Sequence, residues 1–107
     1  MQQITATELS RRLQQDGAST PLLLDVREPV EFQYCRIDGS RNMPMGEVFL
    51  KVGELDPERD TVVICHHGLR SAQIANFLLS RGFKRVSNLK GGVAAWASEV
   101  DRHMPTY

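Results

Sequence analysis

Few residues of this chain can do covalent chemistry, and Cys65 alone stands where it would be activated. It follows the run Thr61-Val62-Val63-Ile64 and opens the segment Cys65-His66-His67-Gly68-Leu69-Arg70-Ser71. Gly68 permits a sharp turn that a Cβ would hinder. Such a turn aims successive backbone N–H groups at one point, and a helix beginning near Ser71 would add unpaired donors and partial positive charge. Arg70 adds a permanent cation. Donors and cations of this kind favour the cysteine thiolate, which is the nucleophile. They would equally hold a persulfide anion on Cys65, and an anionic sulfur donor such as thiosulfate before it. The segment therefore predicts Cys65 as the catalytic residue, with His66, His67, Gly68, Leu69, Arg70 and Ser71 as the substrate-binding set. Cysteine is also a common small core residue, and it is the loop with its arginine that decides for chemistry here.

The other reactive side chains lack such a setting. His66 and His67 could donate to an anion and, when protonated, favour the thiolate; as solvent-facing rings they would do neither. Zinc ligands are usually paired two or more residues apart, so Cys65, His66 and His67 do not predict a metal, and His103 is too distant in sequence to complete one. No cofactor is called for. Cys35 could resolve a Cys65 persulfide into a disulfide, but the simpler expectation is a thiol without a partner. Asp25 and Arg27 are expected to order loops at a strand end through hydrogen bonds. Met43, Met45, Met104 and Trp96 read as packing residues.

The elements that must position this loop can be read in outline. Leu22-Leu23-Leu24-Asp25-Val26 and Thr61 to Ile64 are apolar runs without alternation, the pattern of strands buried on both faces in a parallel sheet. Ile4-Thr5-Ala6-Thr7-Glu8-Leu9 reads as a helix start with reciprocal capping by Thr5 and Glu8, Leu9 and Leu13 sharing one face and Gly17 as the stop. Ala72, Ala75, Leu78 and Leu79 define a helical stripe over Ser71 to Arg81, ended by Gly82 with Phe83 packing back. Arg85 to Leu89 predicts a strand, and Val93 to Val100 a last helix with Trp96 inward. Glu54 to Asp60 reads as a solvated charged turn. Alternating short strands and helices predict an α/β domain.

Composition sets the limits. The chain has 107 residues and a formal net charge of zero, which suits one domain over residues 1–107 and gives no global reason to expect nucleic-acid or membrane binding. No apolar run approaches the roughly 20 residues needed to cross a bilayer. Met1 to Arg12 lacks the apolar centre of a secretory signal. The expectation is a cytoplasmic protein with reduced thiols.

Four blocks, in order, resemble the rhodanese-like domain family: Leu24-Asp25-Val26-Arg27-Glu28 with Glu31-Phe32; Ile37-Asp38-Gly39-Ser40-Arg41-Asn42-Met43-Pro44; Cys65 to Ser71; and Leu89-Lys90-Gly91-Gly92 followed by Trp96. The resemblance covers the chain from about Leu22 onward. It implies an α/β fold with a mostly parallel five-stranded sheet and helices on both faces. It also implies a ping-pong sulfurtransferase whose Cys65 takes sulfane sulfur from thiosulfate or a persulfide donor and passes it to a thiophilic acceptor. A protein sulfur donor or acceptor is compatible with that cycle. One departure is Cys35-Arg36 before Ile37, where the family often has Gly-His; that histidine is generally structural. Two alternatives stand beside this reading. Some relatives are binding or regulatory modules without the cysteine, whereas Cys65 and Arg70 are both present here. Phosphatases and arsenate reductases share the fold, but the related phosphatases place five residues between Cys and Arg; here His66, His67, Gly68 and Leu69 make four, a cradle narrower than a phosphoryl group needs.

Overall fold

A computed structural model describes residues 1–15 and 20–107; the expected stop at Gly17 lies outside them. Five strands, β1 (Gln2–Ile4), β2 (Leu22–Asp25), β3 (Arg41–Asn42), β4 (Thr61–Ile64) and β5 (Val86–Leu89), form one sheet in the order β1-β5-β4-β2-β3. Every pairing is parallel. Five helices connect them: α1 (Ala6–Gln15), α2 (Pro29–Tyr34), α3 (Met45–Lys51), α4 (Leu69–Ser80) and α5 (Gly92–Glu99), with a 3₁₀ turn at Val52–Glu54.

The central strands β2 and β4 are mostly apolar because both faces of the sheet are covered. Leu23, Val62, Ile64 and Leu89 point to one face, where Ala6 and Leu9 of α1 and Val93, Trp96 and Ala97 of α5 pack on them. Leu24, Val63 and Val86 point to the other, against Val48 of α3 and Ile74, Ala75 and Leu78 of α4. The pleat sends Ile64 to the first face and Cys65 to the second.

The ends of the elements follow the sequence closely. Thr5 and Glu8 cap α1 reciprocally, the Glu8 N–H donating to Thr5 Oγ1 at 3.1 Å and the Thr5 N–H to Glu8 Oε1 at 2.9 Å. α4 starts at Leu69, two residues earlier than the apolar stripe predicts, because Gly68 itself turns the chain into the helix. It ends with the Phe83 N–H donating to the Leu78 carbonyl at 3.1 Å. β1, α2, β3 and α3 have no counterpart in the sequence reading. β1 exposes two of its three residues and α2 buries none, so neither carries the apolar periodicity by which elements are recognised.

The connection after β2 leads to β3 on one side, while that after β4 leads to β5 on the other. In a parallel sheet this divergence opens a crevice at the carboxyl ends of the two strands. The end of β2 with the residues after it (Asp25 to Glu31) and the residues after β4 (Cys65 to Ser71) meet there.

Candidate active site

Cys65 lies one residue past β4 and is 1% exposed. Its Sγ accepts the Gly68 N–H at 3.0 Å and lies 3.2 Å from Ser71 Oγ. Gly68 holds φ at +101°, and a Cβ there would sit 3.3 Å from both Gly91 N and the Leu89 carbonyl. The loop thus needs glycine both for its turn and for its clearance. Beyond it, the first-turn N–H groups of α4 have no acceptor within the helix and lie on the same turn as the sulfur.

The loop is fixed from behind by α5. The Val93 N–H donates to the Cys65 carbonyl at 2.9 Å and the Ala94 N–H to the His66 carbonyl at 3.1 Å. This approach requires Gly92, where a Cβ would lie 2.3 Å from each of those carbonyl oxygens. Gly91-Gly92 therefore serves the Cys65 loop directly, in addition to starting the helix.

On the open side the loop meets a polar network that sequence reading largely missed. Arg70 donates to both Glu31 oxygens, at 2.8 and 3.0 Å. Glu31 also accepts the Glu28 N–H at 2.9 Å, capping α2, and the Tyr107 hydroxyl at 2.9 Å. The Arg70 guanidinium holds the Glu31 carboxyl down to about 2, burial opposing and the Glu28 N–H assisting. Arg70, read from sequence as the cation of the loop, is ion-paired, with Nη1 and Nη2 turned to Glu31 while its chain remains on the Cys65 loop. Tyr107 accepts from Arg27 Nη1 at 2.9 Å. Arg27 is fully buried and doubly bonded to Asp25, Nε to Oδ1 at 3.0 Å and Nη2 to Oδ2 at 2.8 Å. Asp25 and Arg27 thus order the loops, as their place at a strand end predicts, and stand away from the sulfur.

Of the two loop histidines, His66 stacks on Tyr107 with centroids 3.8 Å apart and planes 8° from parallel. Burial and the neighbouring His67 push its imidazole below the ordinary value, which favours the neutral ring over the protonated one considered from sequence. His67 and Leu69 face solvent. Cys35 is buried in the opposite core layer from Cys65. Its Sγ faces Arg27 Nη1 at 3.8 Å and its carbonyl accepts Arg27 Nη2 at 2.6 Å. The neighbouring Arg36 lies over the Phe32 ring at 5.0 Å. Met43 and Met104 are buried and Trp96 is nearly so, as packing residues.

Three further residues shape the site: Glu31, Tyr107 and Asn88. Glu31 stands three residues after Glu28 with Pro29 between, a helix-start spacing. Asn88 is a polar residue inside an apolar strand, a signal in itself. Nothing in the sequence marks Tyr107. A cleft of about 520 Å³ lies at the other end of the sheet, among Arg12, Asp60 and Arg85. Its arginines pair with Asp60, at 2.8 and 2.9 Å, and no cysteine lines it.

The family model described as Rhodanese-like domain matches residues 5–99. A sulfurtransferase of Allochromatium vinosum is 36% identical over 95 residues, covering 89% of this chain and 87% of that protein. The thiosulfate sulfurtransferase GlpE of Shewanella oneidensis is 32% identical over 88 residues, covering 82% and 87%. A crystal structure of a rhodanese-related protein from Thermoplasma volcanium superposes with a TM-score of 0.83 at 32% identity, covering 94% of each chain. The chain also matches longer proteins, spanning 30% of one and 43% of another. With the family model covering nearly the whole chain, this protein belongs to the rhodanese-like domain family.

Proposed function

We propose that the protein is a single-domain sulfurtransferase that carries sulfane sulfur on Cys65. The observation that carries this reading is the placement of the Cys65 sulfur at the start of α4, with the Gly68 N–H on it at 3.0 Å. In the first half-reaction the Cys65 thiolate attacks the outer sulfur of thiosulfate. The S–S bond of the donor breaks, sulfite leaves with its electron pair, and Cys65 holds a persulfide. In the second, a thiophilic acceptor attacks the terminal sulfur and the Cys65 thiolate leaves. The loop from His66 to Ser71 supplies donors for the anions of both steps. The sulfurtransferase names of two relatives support the reaction class, and one of those names supports thiosulfate as donor. A persulfide on a partner protein is a second donor of the same chemistry.

The test is incubation with thiosulfate followed by intact mass. The expected result is a gain of one sulfur atom that disappears on adding cyanide. A protein that gains no sulfur from thiosulfate or from a cysteine-desulfurase persulfide would be a binding module.

A further inference from the structure

Cys65 and Ser71 share a hydrogen bond whose direction is decided elsewhere, by Asn88 of β5. Asn88 is 3% exposed. Its Nδ2 faces the Gly68 carbonyl at 3.1 Å and Gln3 Oε1 at 3.1 Å. A carbonyl oxygen only accepts, so the atom facing it is the amide nitrogen and the side chain cannot be flipped. Asn88 Oδ1 is therefore the atom turned to Ser71 Oγ. It carries no hydrogen, and the Ser71 hydroxyl donates to it. A hydroxyl has one proton. With that proton on Asn88, Ser71 presents a lone pair to Cys65 Sγ, and the neutral thiol S–H completes the chain by donating to Ser71.

We infer that Asn88 is a positioning residue that makes the Ser71 hydroxyl a two-position switch for the Cys65 sulfur. With a neutral thiol, the hydroxyl points to Asn88 and accepts from S–H. When the sulfur becomes an anion, as thiolate or persulfide, the S–H donor is gone and a lone pair would face negative charge. The hydroxyl then rotates about its C–O bond, giving its proton to sulfur and leaving Asn88 Oδ1 without it. No covalent bond changes in this rotation. Asn88 therefore opposes formation of the anion, because the anion gains the Ser71 donor only at the expense of a buried bond. Thiolate and persulfide draw on the same hydroxyl, each at the expense of its bond to Asn88.

The charged and titratable groups on the elements that meet at the Cys65 loop are His66 and His67 on the loop itself, Arg70 on α4, Asp25 at the end of β2 and Arg27 beyond it, Glu31 on α2, Lys90 after β5 and Tyr107 against His66. α5 carries only Glu99 at its far end, and on α3 Glu47 and Lys51 pair with each other. Substitutions at Asn88 and Ser71 alter none of these charges, so their effects report the switch.

The inference rests on Cys65 being the nucleophile, and its test separates the two. Thiolate absorbance is followed against pH in a Cys35→Ser background, beside sulfur loading of each variant. Asn88→Leu removes the competing acceptor and should move the thiolate midpoint down by roughly half to one pH unit. In a Ser71→Ala background the same Asn88→Leu change should move it hardly at all. Ser71→Ala alone should shift the midpoint by less than about half a unit, because the hydroxyl's gain to sulfur and loss to Asn88 nearly offset. Equal shifts from Asn88→Leu with and without Ser71 would overturn the inference, as would an upward shift. If Asn88→Leu does not fold, Ser71→Ala decides: a rise of a full unit or more means a serine that simply donates, with no competition from Asn88. Failure of these shifts with Cys65 still loading sulfur refutes the switch alone; failure of Cys65 to load refutes the proposed function.

Discussion

The two cysteines of this chain are both buried, Cys65 at 1% and Cys35 at 7% exposure, yet their surroundings differ in kind. Cys35 faces a guanidinium, but Arg27 is already bonded twice to Asp25 and once to Tyr107. Among the described residues, no cation is bonded to the Cys65 sulfur. That sulfur has a backbone N–H at 3.0 Å, a hydroxyl at 3.2 Å and the start of a twelve-residue helix. A cation close to a thiol is thus a poor guide when a carboxylate has claimed it. An oriented backbone donor at the start of a helix distinguishes the second site.

The comparison breaks most directly at the sulfurs themselves. Cys65→Ser should abolish sulfur loading with the fold intact by circular dichroism, whereas Cys35→Ser should load nearly as well as the parent, both read by intact mass. Next in size is Gly92→Ala. Its Cβ would lie 2.3 Å from the Cys65 and His66 carbonyl oxygens, and the left-handed backbone adds strain. A loss of about 3 kcal/mol in urea unfolding is expected, together with loss of loading.

Glu31 sharpens the contrast between a spent charge and a free one. Its carboxyl is held at about 2 in the fold against 4.5 ordinarily, first by Arg70. A depressed folded value stabilises above the unfolded one, and that contribution disappears as pH falls from about 4.5 through about 2. The parent should therefore lose stability across this window more steeply than Glu31→Gln, as urea midpoints at successive pH values will show. The smallest effect is expected from Tyr107→Phe, which removes the hydroxyl between Arg27 and Glu31 while keeping the ring on His66. It should cost under about 1 kcal/mol in the same unfolding assay and leave loading in place.

The sheet centre and the Cys65 loop were legible from sequence because each rests on local chemistry. Val62-Val63-Ile64 is the continuous apolar run that a strand buried on both faces of a parallel sheet carries, and Gly68 and Arg70 mark the turn wherever it folds. The four-block resemblance located the same elements in order. Glu31, Asn88 and Tyr107 were not assigned roles because theirs are fixed by tertiary contacts. The Asn88–Gly68 bond joins residues 20 apart and the Tyr107–Arg27 bond residues 80 apart. No periodicity or turn signal carries such pairings. The partner of Arg70 was illegible for the same reason, since Glu31 lies 39 residues away on α2.

The central claim, that donor geometry selects one thiol of two, is tested most directly by mapping the sulfur. The parent is loaded with thiosulfate, digested without reductant, and its cysteine peptides are weighed. The account predicts added sulfur on the Cys65 peptide alone. Sulfur on the Cys35 peptide, alone or in equal measure, would contradict it.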